Sequence, residues 1–324
     1  MKEQGIGHSH AKIILMGEHS VVYGEPAIAL PLPDVTLTVI IKLTNKGGHQ
    51  IKSRYFEGPL NQLPEKMAGV QRLISSLMQR FNGESDQWTM TIKSQLPAER
   101  GMGSSAATAV AIVRAFFDLY EEKLERKQLL HLANIEEEVT HRSPSGLDAA
   151  TVSSTSPLYF VKGQAGVPLK MNLQATMVIA DTGVKGATKE AITAVKNELE
   201  TNHNTALSHI NHLGKLVNLA KDYLSHNEAM SLGIALNSAQ SDLTALNVSD
   251  EHLDRLITTA NHNGALGAKL TGGGRGGCMF AITRTALGAR KLAGILKDNG
   301  AKQVWLQPLG IRRKQINDHR TGTH

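Results

Sequence analysis

The chain has 324 residues, 41% of them hydrophobic and 4% aromatic, a composition typical of a globular protein with two domains of ~150 residues each. There are 35 basic and 29 acidic residues, so the formal charge is +6. The basic residues are scattered and aromatic residues are few, which argues against nucleic-acid binding. The single cysteine excludes an intramolecular disulfide, and the sequence has neither an apolar run of ~18 residues nor a secretory start. We therefore expect a cytoplasmic protein with no membrane partner.

Hydrophobic periodicity predicts mostly strands in the first part of the chain. The predicted elements up to residue 181 are strands at 12–16, 35–43 and 88–96, helices at 67–81, 106–120 and 125–141, and short strands at 158–161 and 177–181. The Ser143-Pro144 step is expected to end the third helix, because the residue before a proline avoids helical geometry.

The later part of the chain is predicted to be mainly helical. Residues 189–246 have an almost wholly helical pattern, and a strand, a helix and a strand follow at 278–283, 285–299 and 302–306. Strands, then helices, then strands again predict an α+β protein of two lobes. A change of composition near Asp181 divides the chain into domains 1–180 and 181–324.

A glycine loop follows the predicted strand at 88–96, with the sequence Pro97-Ala98-Glu99-Arg100-Gly101-Met102-Gly103-Ser104-Ser105-Ala106. Glycines let the backbone approach a bulky anion, and the next helix offers unpaired N–H groups and the positive end of its dipole. The loop is therefore a candidate phosphate site, although it lacks the lysine of a Walker A loop. A helix capped by Ser104 after a tight turn is an equal alternative.

A second glycine-rich segment, Thr271-Gly272-Gly273-Gly274-Arg275-Gly276-Gly277, precedes the predicted strand at 278–283. Glycine at this density costs backbone entropy, so a flexible hairpin is the simple alternative to a functional loop. Two such loops in one chain favour function. Cys278 is predicted to be a small packing residue and not a nucleophile.

Acidic side chains on the third predicted helix are candidates for metal binding or catalysis. Helical spacing places Glu136 and Glu137 at the border of an apolar stripe, whereas Glu138 is expected in solvent. Three consecutive acids are more often a solvated helix face. Asp148 could equally be a helix N-cap.

The apolar strand at 12–16 leads into Glu18 and His19 on a predicted turn. A lone acid-histidine pair is a weak signal. The spacing of the 14 histidines does not predict a metal site.

Together these segments resemble the GHMP kinases, a superfamily of kinases for galactose, homoserine, mevalonate and phosphomevalonate. The family's phosphate loop, Pro-x-x-x-Gly-Leu-Gly-Ser-Ser-Ala, is matched at 97–106 with Met102 in place of Leu, and its third motif resembles 269–278. Gly17-Glu18-His19-Ser20-Val21-Val22-Tyr23-Gly24 is most similar to the mevalonate kinase branch. The resemblance implies an N-terminal domain like ribosomal protein S5 domain 2 and a C-terminal α+β ferredoxin-like domain.

The resemblance also implies a reaction, the transfer of phosphate from ATP, with Mg²⁺, to the terminal primary hydroxyl of mevalonate. Asp148 corresponds to the catalytic base and Lys12 to the cation near the reacting hydroxyl. The resemblance implies that the substrate contacts are Glu18 and His19 and that the metal ligands are Ser105 and Glu137. The nucleotide contacts that it implies are Ser94, Gly101, Met102, Gly103, Ser104, Ser105 and Thr271.

The chain departs from the family pattern at two places. His10 and Ala11 precede Lys12 where the family usually has Ala-Pro-Gly, and Arg275 interrupts the third motif, where it could face a phosphate or solvent. The tail at 311–324 indicates no role. A GHMP kinase for another small alcohol (a sugar, homoserine or phosphomevalonate), a non-catalytic nucleotide or ligand sensor on the same fold, and a homodimeric assembly are left open.

Overall fold

The computed structural model describes residues 1–140 and 146–310. Within these residues the chain forms two sheets, each covered by helices, so the predicted α+β class is confirmed. The expected helix stop at Ser143-Pro144 and the tail at 311–324 lie outside the described residues.

The first sheet has seven strands arranged around one long strand, β2. Its strands are β1 (Gln4–Met16), β2 (Ala27–Leu43), β3 (His49–Lys52), β4 (Glu57–Pro59), β5 (Trp88–Ser94), β6 (Leu158–Phe160) and β7 (Val167–Pro168). The order is β4-β3-β5-β2-β6-β7, with β1 paired antiparallel along the other edge of β2. Leu37, Val39 and Ile41 alternate toward the core, which is the period of a half-buried strand.

Four helices belong to this lobe: α1 (Ala68–Arg80), α2 (Ser104–Leu119), α3 (Arg126–Thr140) and α4 (Leu147–Val152). Helix α2 packs directly on β1. Gly7 permits this close approach, because a Cβ at that position would lie 1.9 Å from the Ala111 carbonyl oxygen. The start of α2 is thereby held beside the end of β1.

The second sheet has four antiparallel strands in the order β11-β8-β10-β9. They are β8 (Thr176–Asp181), β9 (Gly267–Thr271), β10 (Cys278–Thr283) and β11 (Gln303–Pro308). The accompanying helices are α5 (Thr188–Thr201), α6 (His203–His226), α7 (Ala229–Ala245), α8 (Glu251–His262) and α9 (Ala286–Asp298). One apolar core runs through both lobes.

Several short elements were not predicted, and each has a physical reason. Strands β3, β4 and β7 have four residues or fewer and α4 has six, too short for a clear periodicity. Strand β9 is fully buried but carries a lysine at its centre, which masks its apolar pattern. The predicted domain boundary after residue 180 falls at the end of β8. Both strands that pair with β8, β10 and β11, belong to the second sheet. We therefore propose that the second lobe begins before Thr176.

Candidate active site

A buried lysine and a partly open carboxylate lie where β1, α2 and α4 meet. Lys12 is 5% exposed, and its Nζ lies 2.9 Å from Oδ1 of Asp148, whose side chain is 36% exposed. The Lys12 amide donates to the Met102 carbonyl at 3.0 Å, which joins the strand to the glycine loop. Asp148 is in the first turn of α4, and the N-cap of this helix is Gly146. The alternative that Asp148 is an N-cap is therefore wrong.

The glycine loop ends at the uncapped N-terminus of α2. Gly103 is the N-cap residue, with a left-handed φ of 72°, and no side chain caps the helix. Ser104 is the first helical residue, so the alternative that Ser104 caps α2 is wrong. The first N–H groups of a helix without a side-chain cap are available to an anion. Only glycine fits at 103, because a Cβ there would lie 2.9 Å from Cγ of Lys12.

The two glycine-rich segments are in direct contact. Gly101 has a φ of 78°, and a Cβ on it would lie 3.1 Å from the Thr271 carbonyl oxygen and 3.3 Å from Cα of Gly272. The Thr271 hydroxyl donates to the carbonyl of Ile14 at 2.9 Å and accepts its N–H at 3.0 Å. The second segment joins the antiparallel strands β9 and β10, so it is a hairpin. This hairpin is tied to β1 and supports the first loop from behind.

The three consecutive glutamates face three different environments. Glu136 is buried and accepts a hydrogen bond from the Ser105 hydroxyl, whereas Glu138 is exposed and binds Asn134 at 2.8 Å. Oε2 of Glu137 is buried and has no hydrogen-bond partner in the described part of the chain. Burial, with the negative charges of Asp148 and Glu136, raises the pKa of Glu137 to about 7. The inward position of Glu136 and Glu137 and the outward position of Glu138 agree with helical spacing.

This set of groups fits a divalent cation. An unpaired buried carboxylate oxygen beside two further acids has an excess of negative charge that a cation would offset. Carboxylate and hydroxyl oxygens suit Mg²⁺, which keeps several waters and substrate phosphates as its other ligands. Over residues 1–140 and 146–310, no cluster of three or more His, Cys, Asp or Glu side chains is arranged to hold a metal without such additional ligands. The expected pairing of Ser105 with Glu137 on one ion stays a prediction, since Ser105 contacts Glu136 here.

Glu18 forms a second ion pair at the far end of β1. Its Oε1 lies 2.5 Å from Nζ of Lys269, and the two side chains are 1% and 0% exposed. Lys269 also donates to the carbonyl of Leu270, and its ammonium lies 5.4 Å from the centre of the Phe280 ring. Burial raises the pKa of Glu18, and the charge of Lys269 opposes this shift. The other carboxylate oxygen, Oε2, is buried without a hydrogen-bond partner among the described residues.

His19, the next residue, links this turn to the hairpin. Its Nε2 lies 2.9 Å from the carbonyl oxygen of Gly273, and burial lowers its pKa. The imidazole is therefore neutral at pH 7, and we assign its proton to Nε2, the atom that faces a carbonyl. The expected substrate contacts of Glu18 and His19 stay predictions, and the contacts present link β1 to β9 and the hairpin.

Other residues singled out from the sequence have mainly local contacts. The Ser94 hydroxyl accepts the Leu96 N–H at 3.0 Å, and Met102 is buried at 1% exposure. Arg275 is half-buried and donates through Nε to the carbonyl of Asn247 at 3.0 Å in a contact that solvent reaches, and a role facing a phosphate stays a prediction. Burial raises the pKa of the Cys278 thiol well above its ordinary value, consistent with a packing residue.

Two residues of the site were not assigned a role from the sequence. Lys269 is the first residue of the segment 269–278 that resembles the third family motif, and this position next to the glycines was the available signal. Glu136 was recognised as able to face inward, but nothing in the sequence distinguished it from Glu137 as the partner of Ser105. Side-chain partners from distant segments are set by the tertiary structure.

No helix within residues 1–140 and 146–310 has the length and apolar character that crossing a membrane requires.

The chain matches the family descriptions "GHMP kinases N terminal domain" over residues 68–155 and "GHMP kinases C terminal" over residues 219–302. A mevalonate kinase of Thermococcus onnurineus (strain NA1) is 33% identical over 294 residues, which cover 84% of this chain and 87% of that protein. A mevalonate kinase of Pyrococcus abyssi (strain GE5 / Orsay) is 32% identical over 313 residues, 88% and 91% of the two chains.

Solved structures show the same fold. The crystal structure of mevalonate kinase from Staphylococcus aureus MRSA252 has 34% sequence identity and a TM-score of 0.76, covering 96% of this chain and 100% of that one. The structure of L. major mevalonate kinase in complex with R-mevalonate has a TM-score of 0.82 at 23% identity, covering 96% and 98%. The latter likeness concerns the fold alone.

Proposed function

The chain belongs to the GHMP kinases, and on this premise we propose that it transfers the γ-phosphoryl group of ATP to the primary hydroxyl of mevalonate. The products are phosphomevalonate and ADP. The observation that carries the proposal is the Lys12–Asp148 pair, 2.9 Å apart, beside the uncapped N-terminus of α2. An acceptor for a hydroxyl proton, a cation and a set of free N–H groups are the parts that phosphoryl transfer to an alcohol needs.

The proposed mechanism gives each of these groups one task. The side chain of Asp148 is partly exposed, so its carboxylate can reach a bound alcohol and accept the hydroxyl proton as the oxygen attacks phosphorus. The buried ammonium of Lys12 stabilises the negative charge that develops on that oxygen. The N–H groups at the start of α2 and the glycine loop bind the phosphates of ATP.

Mg²⁺ would be held by Glu137, whose buried oxygen lacks a partner, and by the Ser105 hydroxyl. This ion would supply positive charge that offsets the charge of the phosphates. Ionisation of Glu137 is required for this binding, and the raised pKa of its carboxyl is what a cation in that position would reverse.

Mevalonate is proposed as the acceptor because the chain is similar to mevalonate kinases over more than four-fifths of its length. Mevalonate carries a carboxylate and a tertiary hydroxyl besides its reacting hydroxyl. The neutral His19 imidazole is the proposed contact with mevalonate, and Glu18, on the same turn, is proposed to support the substrate side by holding the neighbouring ammonium of Lys269. The formal charge of +6 favours an anionic alcohol over a neutral sugar, although weakly. A cytoplasmic location and a homodimeric assembly stay predictions.

An ADP-release assay with a panel of alcohols tests the proposal. Purified protein with Mg²⁺ and ATP should release ADP with mevalonate and little with galactose, homoserine or phosphomevalonate. The Asp148→Asn protein, assayed in parallel, gives the background hydrolysis of ATP. Preference for another alcohol would replace the substrate and keep the kinase, whereas no release with any alcohol would favour a ligand sensor.

A further inference from the structure

The short helix that carries Asp148 is held at its far end by two side chains of β1. The Ser9 hydroxyl donates to the carbonyl of Val152 at 3.1 Å, and Nε2 of His10 lies 2.9 Å from the carbonyl oxygen of Ser154. Both contacts are buried or partly buried. The last carbonyls of a helix have no hydrogen-bond partner within the helix. These two contacts supply partners for the carbonyls at and just beyond the C-terminus of α4.

The third anchor of the same end comes from α3. Arg126, the first residue of α3, donates through Nη2 to the carbonyl of Ala150 at 3.2 Å and through Nη1 to that of Ser153 at 3.5 Å. Helix α3 also carries Glu136 and Glu137. The end of α4 is therefore tied to both elements that contribute charged groups to the site.

One segment of β1 contacts both ends of α4. His10 binds beyond its C-terminus, and Lys12, two residues later, binds Asp148 in its first turn. The pairing of β1 with β2 shifts register between His10 and Ala11, where β2 accommodates extra residues. Because α4 has only six residues and a helix rises ~1.5 Å per residue, a shift at one end displaces the other.

We propose that His10 is a positioning residue for catalysis, which holds α4 so that the Asp148 carboxylate stays in register with Lys12. This inference rests on the proposed function of Asp148 as the base. Nδ1 of the His10 ring lies 2.9 Å from the carbonyl oxygen of Ala11, so the proposed hydrogen bond to Ser154 requires a proton on Nε2.

Three substitutions of His10 distinguish the effect of losing the hydrogen-bond donor from the effect of changing the side-chain volume. In His10→Gln the amide nitrogen lies close to the place of Nε2, whereas in His10→Asn it lies nearer the place of Nδ1 and does not reach Ser154. We expect His10→Ala and His10→Asn to lower kcat about ten-fold, because misplacement by a fraction of an ångström is costly in catalysis, and His10→Gln to retain most of it. The KM for ATP should stay within about two-fold of wild type, since the nucleotide loop is unchanged.

Two controls complete the test. His8→Ala changes an exposed histidine on the same strand, whose ring contacts Thr38, and should leave kcat unchanged. Adding His10→Ala to the Asp148→Asn variant should lower kcat by no more than about a further two-fold. His10 acts through Asp148 in this proposal, so the effects of the two substitutions are not additive. All rates are expressed per folded protein, measured by circular dichroism.

The possible results are distinguishable. An inactive wild-type enzyme would overturn the proposed function itself. An active wild type with His10→Ala indistinguishable from His8→Ala, equal losses in His10→Asn and His10→Gln, or full additivity with Asp148→Asn would each overturn the role of His10. Rescue by Gln but not Asn, with the loss confined to kcat, would support it.

Discussion

Two lysine-carboxylate pairs, one on β1 and one at the turn that follows it, differ in access to solvent. In the Lys12–Asp148 pair, at 2.9 Å, the carboxylate side chain is 36% exposed. In the Lys269–Glu18 pair, at 2.5 Å, both side chains are at most 1% exposed. The first pair lies beside the groups proposed to bind ATP and a metal, whereas the second joins β9 to the turn after β1.

The comparison shows that two pairs of the same residue types can differ in solvent access, and we propose that this access separates the reactive pair from the structural one. A partly open carboxylate can exchange a proton with a substrate, and a fully buried pair cannot do so without a rearrangement. The closed pair is instead sensitive to the loss of either partner, which leaves a charge buried without compensation. Activity should therefore depend most directly on Asp148, and stability on Lys269.

The largest expected effect is on stability. Lys269→Met should lower the free energy of unfolding by about 3–5 kcal/mol, because Glu18 would remain buried without its partner. Combining it with Glu18→Gln should recover part of the loss. Lys2→Met, which removes an exposed ion pair with Asp118, should cost much less than Lys269→Met, because solvent screens the exposed pair. Urea denaturation measures all three, and equal losses in the two lysine variants would contradict the distinction.

The next effect is on turnover. Asp148→Asn retains the shape of the side chain but cannot accept a proton, so kcat should fall by at least ~10² while ATP still binds. Its free energy of unfolding should change less than that of Lys269→Met, because the Asn amide oxygen can still accept a hydrogen bond from Lys12, whereas Met leaves Glu18 with no partner. Steady-state kinetics and nucleotide titration separate the two outcomes. If Asp148→Asn lost as much free energy of unfolding as Lys269→Met, the Lys12–Asp148 pair would also be structural.

A smaller effect is expected at the metal-binding side chains. Glu137→Gln should raise the KM for Mg²⁺·ATP by about ten-fold or more, because the unpaired buried oxygen loses its charge. The matched variant is Glu138→Gln, which changes the exposed neighbour. Similar KM values for the two variants would remove Glu137 from the metal site.

The pH dependence follows from the same carboxyl. With a pKa of about 7 instead of the ordinary 4.5, Glu137 in the metal-free protein is largely protonated at pH 6. The KM for Mg²⁺·ATP should therefore fall as the pH rises from 6 to 8, and Glu137→Gln should weaken this dependence.

Without metal, Glu137 should make the free energy of unfolding decrease between pH 4.5 and about 7, because the folded state retains a proton that the unfolded state has released. A rise in stability attributable to Glu137 over that range would contradict the assignment.

The smallest expected effect is at His19. His19→Ala should raise the KM for mevalonate several-fold, and more than the KM for ATP, if the imidazole faces the substrate. His19→Gln retains a donor for the Gly273 carbonyl and serves as the matched variant. A rise in the KM for ATP alone, reversed by Gln, would mean that His19 acts only through the hairpin.

The sequence by itself predicted much of the fold and of the chemistry. Long periodic segments such as α2 and β5 are confirmed within a few residues, because one apolar face repeated over many residues is a strong local signal. The family and its two-lobed fold, predicted from four segments, are confirmed by the matches over both halves of the chain. Glycine-loop motifs carry this information since their function requires particular residues at fixed spacing.

The tertiary structure alone decided which side chains meet. Glu18 pairs with Lys269, the Ser105 hydroxyl binds Glu136, and His10 reaches Ser154, all between segments far apart in the chain. Strand β9 exists in spite of its central lysine, because the fold supplies a buried carboxylate for it. Periodicity and motifs report local geometry, whereas the pairing of charges depends on distances that arise only when strands and helices pack together.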